Sequence, residues 1–117
     1  MEQISFPKPD EREINELVNK IVREVDPMRI IVFGSCGRNK QTQGSDLDLL
    51  VVTELPSNET IWSLRTKIRN LLSDRSFPLD LVIQTPELFE RQKDQLGMLA
   101  ETADREGEVL YQRSKVA

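Results

Sequence analysis

The chain has 117 residues, of which 31% are charged and 38% hydrophobic, and its formal net charge is −4. This size suits one core, and the acidity excludes broad, sequence-independent nucleic-acid binding, which needs a basic surface. There is no histidine and one cysteine, Cys36, which excludes imidazole chemistry, histidine metal sites and an intrachain disulfide, so any metal site must be oxygen-rich and suits Mg²⁺ or Mn²⁺ better than zinc.

Residues 1–9 read as an N-terminal arm in which Pro7 and Pro9 block helix. No signal-peptide pattern is expected there, and no apolar run is long enough to span a membrane. Together with cysteine usage, this points to a cytoplasmic setting. Asp10 and Glu13 have capping-box spacing, so a helix is expected from Glu11. Ile14, Leu17, Val18, Ile21, Val22 and Val25 form its apolar stripe. Asp26-Pro27 ends it.

Arg29–Phe33 is a β-branched run and predicts a buried strand. Gly34-Ser35-Cys36-Gly37 breaks it, with residues 35–40 able to form a helical turn. A polar loop through Gly44 leads to a second strand over residues 46–53. That strand is almost continuously apolar after Asp46 and Asp48, as suits a central strand covered on both faces.

Ser57 or Asn58 is expected to cap the next helix, which should run to about Asp74. Ile61, Leu64, Ile68, Leu71 and Leu72 form its stripe. Trp62 is expected to pack at the edge of the core, and Arg65, Lys67 and Arg69 to lie on a solvated face. In the third strand, residues 77–85, Leu79, Leu81 and Ile83 share one side, and Asp80, Val82 and Gln84 the other. Thr85-Pro86 starts a helix as N-cap and first residue. Its apolar face is expected to include Leu88, Phe89, Gln92, Leu96, Leu99, Ala100 and Ala103, with Gly97 marking a kink or a break into two helices. Gly107 stops it, residues 108–112 predict a short edge strand, and residues 113–117 read as a frayed tail. The order α-β-β-α-β-α-(β) predicts an α/β (α+β) fold, a small mixed sheet flanked by helices. Residues 1–117 are expected to form a single domain.

Three features carry chemistry. A strand ending in Gly34-Ser35 offers backbone N–H groups and a hydroxyl to a phosphate. The run Gly34 to Lys40 is no Walker A loop, since no second glycine stands immediately before the lysine. Asp46-x-Asp48 places two carboxylates on one face of a strand, where they repel unless a cation relieves them. The apolar strand follows these carboxylates, whereas it precedes them in haloacid-dehalogenase-like phosphatases and many D-x-D glycosyltransferases. Asp80 stands in an otherwise apolar strand, where burial without a partner is costly. Facing the same site as Asp46 and Asp48 would explain it.

Together, Gly34-Ser35, ten residues more, Asp46-x-Asp48 and then Asp80 on the next strand resemble the minimal nucleotidyltransferases of the DNA polymerase beta superfamily, of the MntA-like antitoxin type. The resemblance extends from the first helix to Glu106-Gly107 and Leu110-Tyr111. It implies a polymerase-beta-like fold in which Gly34 and Ser35 hold the triphosphate, with Arg38 as a further phosphate contact. Asp46 and Asp48 would coordinate one or two Mg²⁺ ions, and Asp80 would complete the metal site or help deprotonate the acceptor hydroxyl. Many relatives read Gly-Ser-x-Ala-Arg-Gly; here the run is Gly34-Ser35-Cys36-Gly37-Arg38-Asn39. The resemblance further implies ATP as donor, AMP transfer to a hydroxyl, and a HEPN-domain toxin as partner and acceptor. One alternative is an antitoxin that neutralises by occlusion; a lesser one is an antibiotic-type transferase acting on a small molecule. An acceptor site would come from the partner or from a second subunit in a homo-oligomer.

Overall fold

The structure is a computed structural model that describes residues 11–33, 47–74 and 79–113. Along the chain it comprises α1 (Glu11–Val25), β1 (Arg29–Phe33), β2 (Leu47–Val52), α2 (Ile61–Leu71), β3 (Leu79–Gln84), α3 (Pro86–Gln92), α4 (Leu99–Glu106) and β4 (Glu108–Gln112). The strands form one mixed sheet in the order β3-β2-β1-β4. β2 and β3 are parallel, and β1 is antiparallel to both β2 and β4. β2 is thus interior, as its unbroken apolar run requires, and β4 is an edge strand.

Strand alternation divides the core in two. Ile30, Val32, Leu49, Val51, Leu79, Leu81 and Ile83 face α1 and α2, where Leu17, Val18, Ile21, Leu64, Ile68 and Leu72 meet them. Ile31, Phe33, Leu50 and Val52 face the other way and pack with Phe89 of α3 and Ala103 of α4. Burying each large aliphatic side chain contributes roughly 1.5–3 kcal/mol, so both faces are needed to hold the sheet. The β1–β4 register shifts between Ile30 and Ile31, opposite Tyr111 and Val109. The extra residue, Leu110, lets both Leu110 and Tyr111 pack on the α1–α2 side.

Helix ends follow local chemistry. α1 stops where Asp26 takes a left-handed φ of 53°, a conformation Asp tolerates better than most residues, and Pro27 cannot continue the helix. Arg113 donates to the Asp26 carbonyl, tying the end of β4 to this turn. α3 begins as expected, with Thr85 Oγ1 accepting from Leu88 N at 3.3 Å and Pro86 in the first turn. The apolar pattern after it divides into two helices around Gly97, whose φ is +89°.

The capping of α2 differs from expectation. Thr60, not Ser57 or Asn58, is the N-cap, and Ser63 completes a reciprocal box: Ser63 N donates to Thr60 Oγ1 at 3.0 Å and Thr60 N to Ser63 Oγ at 2.9 Å. Ser57 and Asn58 lie in a turn closed by Glu59 N donating to Pro56 O. The helix ends at Leu71, short of Asp74. Thr60→Ala is expected to cost about 1 kcal/mol in urea denaturation, with Ser57→Ala and Asn58→Ala near zero.

Two apolar residues also sit elsewhere than expected. Trp62 is 74% exposed and Leu96 87% exposed. Trp62 lies about 140° around the helix from the midpoint of Leu64 and Ile68, at 100° per residue, which turns it away from the sheet. Leu96 falls in the connector between α3 and α4, where helical spacing no longer applies.

Lys20 of α1 donates to both carboxylate oxygens of Asp74 at 3.1 and 3.2 Å, and Arg105 Nε meets Glu101 Oε2 at 2.6 Å. The Lys20 hydrogen bond holds the Asp74 carboxyl below its ordinary 3.8, and the Arg105 hydrogen bond holds Glu101 below its ordinary 4.5. Lowered carboxyl values mean that these pairs stabilise the fold above 4.5 and 3.8, and that their contribution is lost as pH falls below those values. Acid titration of thermal stability is expected to show this loss, and Lys20→Met with Arg105→Met to reduce it.

Candidate functional site

The β1–β2 and β2–β3 registers form one row across the sheet: Phe33 opposite Asp48, and Asp48 opposite Asp80. In-register neighbours on adjacent strands point to the same face, with strands about 4.8 Å apart. The next rows on that face are Ile31–Leu50–Val82 and Arg29–Val52–Gln84. Apolar packing beneath α3 and α4 therefore gives way, at one end of the sheet, to a pair of carboxylates. Asp48 is half-buried and Asp80 exposed.

Asp80 pays no burial cost, so the expectation that its strand would bury it does not apply. Among the described residues β3 is an edge strand. What remains is the facing of two acids across a parallel strand pair. Their separation in sequence is bridged by the β2–α2–β3 crossover, which returns the chain to start β3 beside the start of β2.

The chain leaves β1 at Phe33 and enters β2 at Leu47. The segment between them therefore departs from and returns to the end of the sheet that holds Asp48 and Asp80. Gly34, Ser35, Arg38 and Asp46 all belong to that segment and lie outside the described residues. So do the helical turn expected at 35–40 and the Asp10 cap. Phe33 had been read only as part of a buried strand. Its parity with Ile31 and its position before Gly34 put its ring, 8% exposed, at the inner border of the acidic row.

Two adjacent carboxylates without a histidine nearby make an oxygen-only donor set, which fits a hard divalent cation. Either acid can also accept a proton from a hydroxyl. Among the described residues no cluster of three or more potential ligands forms. A separate cavity of about 100 Å³ is bordered by Met28, Arg29, Val52, Pro86 and Phe89 at the opposite end of the same face. Arg29 there stacks 5.3 Å from the Phe89 ring centroid, and the cavity touches neither aspartate. Among the described residues no helix is long and apolar enough to cross a membrane.

Solved structures share this fold. A toxin–antitoxin crystal structure with AMP-PNP aligns over 84% of this chain and 73% of its own, with a TM-score of 0.52 and 23% identity. The MntA–HepT toxin–antitoxin structure aligns over 89% and 74%, with a TM-score of 0.52 and 18% identity. A mutant of such a pair, with two aspartates two positions apart changed to glutamate, aligns over 85% and 72%, with a TM-score of 0.53 and 19% identity. No curated protein sequence matches the chain. The model of the nucleotidyltransferase domain matches residues 12–106, a span that contains β1, β2 and β3 with Asp48 and Asp80, and the chain belongs to that family.

Proposed function

We propose that this nucleotidyltransferase is the antitoxin of a toxin–antitoxin pair and transfers AMP from ATP to a hydroxyl of a HEPN-type toxin. The observation that carries the reading is the Asp48–Asp80 pairing at the sheet end where residues 34–46 begin and end. Membership of the family supports the transferase chemistry. The likeness in fold to toxin–antitoxin structures, one of them with AMP-PNP, supports the donor and the kind of partner.

In this reading Asp48 and Asp80, with Asp46, hold Mg²⁺. The metal would neutralise charge on the triphosphate and stabilise the attacking and leaving oxygens of in-line displacement. Asp80, the exposed member, stands where it can take the acceptor's proton or complete the metal site. Gly34 and Ser35 would cradle the phosphates by backbone N–H groups and the hydroxyl, with Arg38 as a charge-assisted contact. Pyrophosphate leaves as the acceptor oxygen bonds to the α-phosphorus.

The test is incubation of the chain with α-labelled ATP, Mg²⁺ and its HEPN-type partner. Label is expected on the partner with the native chain and not with Asp48→Asn. No label on the partner from the native chain, with nucleotide intact, would sink the proposal. Neutralisation that survives in the Asp48→Asn variant would assign the protection to occlusion.

A further inference from the structure

Among the described helices, α2 alone carries cations without any anion: its sequence is IWSLRTKIRNL. On the side turned from the sheet, Trp62, Arg65, Thr66 and Arg69 follow i, i+3, i+4, i+7 spacing and form one stripe. Trp62 is 74% exposed, and Arg69 is exposed. Neither arginine enters an ion pair among the described residues. Arg65 has its Nε buried with no acceptor among the described residues, a donor whose desolvation costs free energy. An exposed tryptophan beside unpaired arginines has the composition of an interface centre, where Trp and Arg dominate binding energy.

Topology gives the stripe a direction. β2 and β3 are parallel and in register, so α2 must carry the chain back along the sheet. Its Trp62 end lies at the Val52 end of β2, and its Arg69 end lies towards Leu79, at the sheet end where the acidic row stands on the opposite face. A partner lying along the stripe is therefore led to that end of the sheet, from which it reaches Asp48 and Asp80 only by passing round the β3 edge to the other face.

We infer that the Trp62–Arg65–Arg69 stripe docks an acidic face of the protein acceptor; this rests on the reading that the acceptor is a protein. Charge complementarity selects the occupant. Two arginines on the stripe and no anion on its helix attract carboxylates, while the net charge of −4 on the whole chain opposes the long polyanion of a nucleic acid. Trp62 supplies the buried anchor. The Arg65 fork takes a carboxylate in bidentate fashion through its two terminal Nη groups. Arg69 extends the contact towards the sheet end at which Asp48 and Asp80 stand on the other face.

The test measures affinity of the full chain for its HEPN-type partner by calorimetry, at about 50 and 300 mM salt to vary screening, with melting curves confirming that each variant folds. Trp62→Ala is expected to weaken binding ~10–100-fold, and Arg65→Glu with Arg69→Glu by at least ~100-fold, with a flatter salt dependence. Lys67→Glu, the same charge reversal off the stripe, should change affinity less than ~3-fold. If the native chain binds and the stripe variants bind equally well, this inference falls and the functional reading stands. If the native chain does not bind the partner, both fall. Tight binding of a single-stranded RNA oligomer that the stripe variants lose would overturn the inference in favour of nucleic acid.

Discussion

Asp48→Asn is expected to lower the proposed AMP transfer by about 1,000-fold or more, since metal-borne stabilisation of transition-state charge is worth several kcal/mol and each 1.36 kcal/mol is tenfold in rate. Asparagine keeps the shape and its place in the sheet, so the melting temperature should change little. It removes the negative charge proposed to hold the cation. Titration of ATP with and without Mg²⁺ should show that the metal-dependent part of ATP binding is lost. Asp80→Asn separates the two roles open to that residue. If Asp80 completes the metal site, Mg²⁺ affinity falls together with the rate. If it accepts the acceptor's proton, Mg²⁺ affinity holds, the rate falls by about 10²–10⁴-fold and the acid limb of the pH profile disappears. Full transfer by Asp48→Asn would remove Asp48 from the chemistry.

Gly107→Ala is the substitution expected to damage the fold most for its size. A Cβ there would lie 2.4 Å from the Ala103 carbonyl oxygen, 2.5 Å from Ile31 Cγ2 and 2.9 Å from the Val32 carbonyl oxygen. Two of the three neighbours are backbone, so no rotamer change relieves the overlap. The glycine is needed for close approach, where α4 passes directly onto β1 and hands the chain to β4. Overpacking of this kind costs typically 1–3 kcal/mol. At about 4–8 °C per kcal/mol for a domain of this size, the melting temperature should fall by roughly 5–20 °C. Gly97→Ala is the comparison: its Cβ meets nothing within 4 Å, and its cost is confined to the left-handed backbone. Equal melting temperatures for Gly107→Ala and the native chain would show that α4 can move off β1 freely.

Much of this architecture can be read from residues in order. The run Arg29–Phe33, the apolar run after Asp48 and the alternation Leu79 to Gln84 each express a strand in its own side chains. Thr85-Pro86 states a helix start without ambiguity. The Thr60 cap was harder, because Ser57, Asn58 and Thr60 all offer a capping oxygen, and only the reciprocal bond with Ser63 decides among them. Trp62 misled because aromatic residues near an apolar stripe usually extend it; its angle around α2 shows otherwise. The partner of β4 was not legible, since an edge strand's pairing depends on which strand is left open, here β1. Of the candidate site, the facing of Asp48 and Asp80 follows from a register that no local pattern encodes, although the chemistry of each acid is visible in its type.

The pairing of β4 has a consequence for the order in which this molecule is made. β1 has β2 on one side and β4 on the other, and Ile30 lies opposite Tyr111, a loop closure across about eighty residues with a correspondingly high entropic cost. The Arg113 bond to the Asp26 carbonyl closes the same circuit. During synthesis β1, β2 and β3 emerge first and can set the two aspartates side by side while β1 still has an open edge. Until Gln112 has cleared the ribosome, that edge is available to any other strand. A chain released early, after α4, is therefore expected to carry the acidic row yet to associate through β1, visible as a concentration-dependent increase in size.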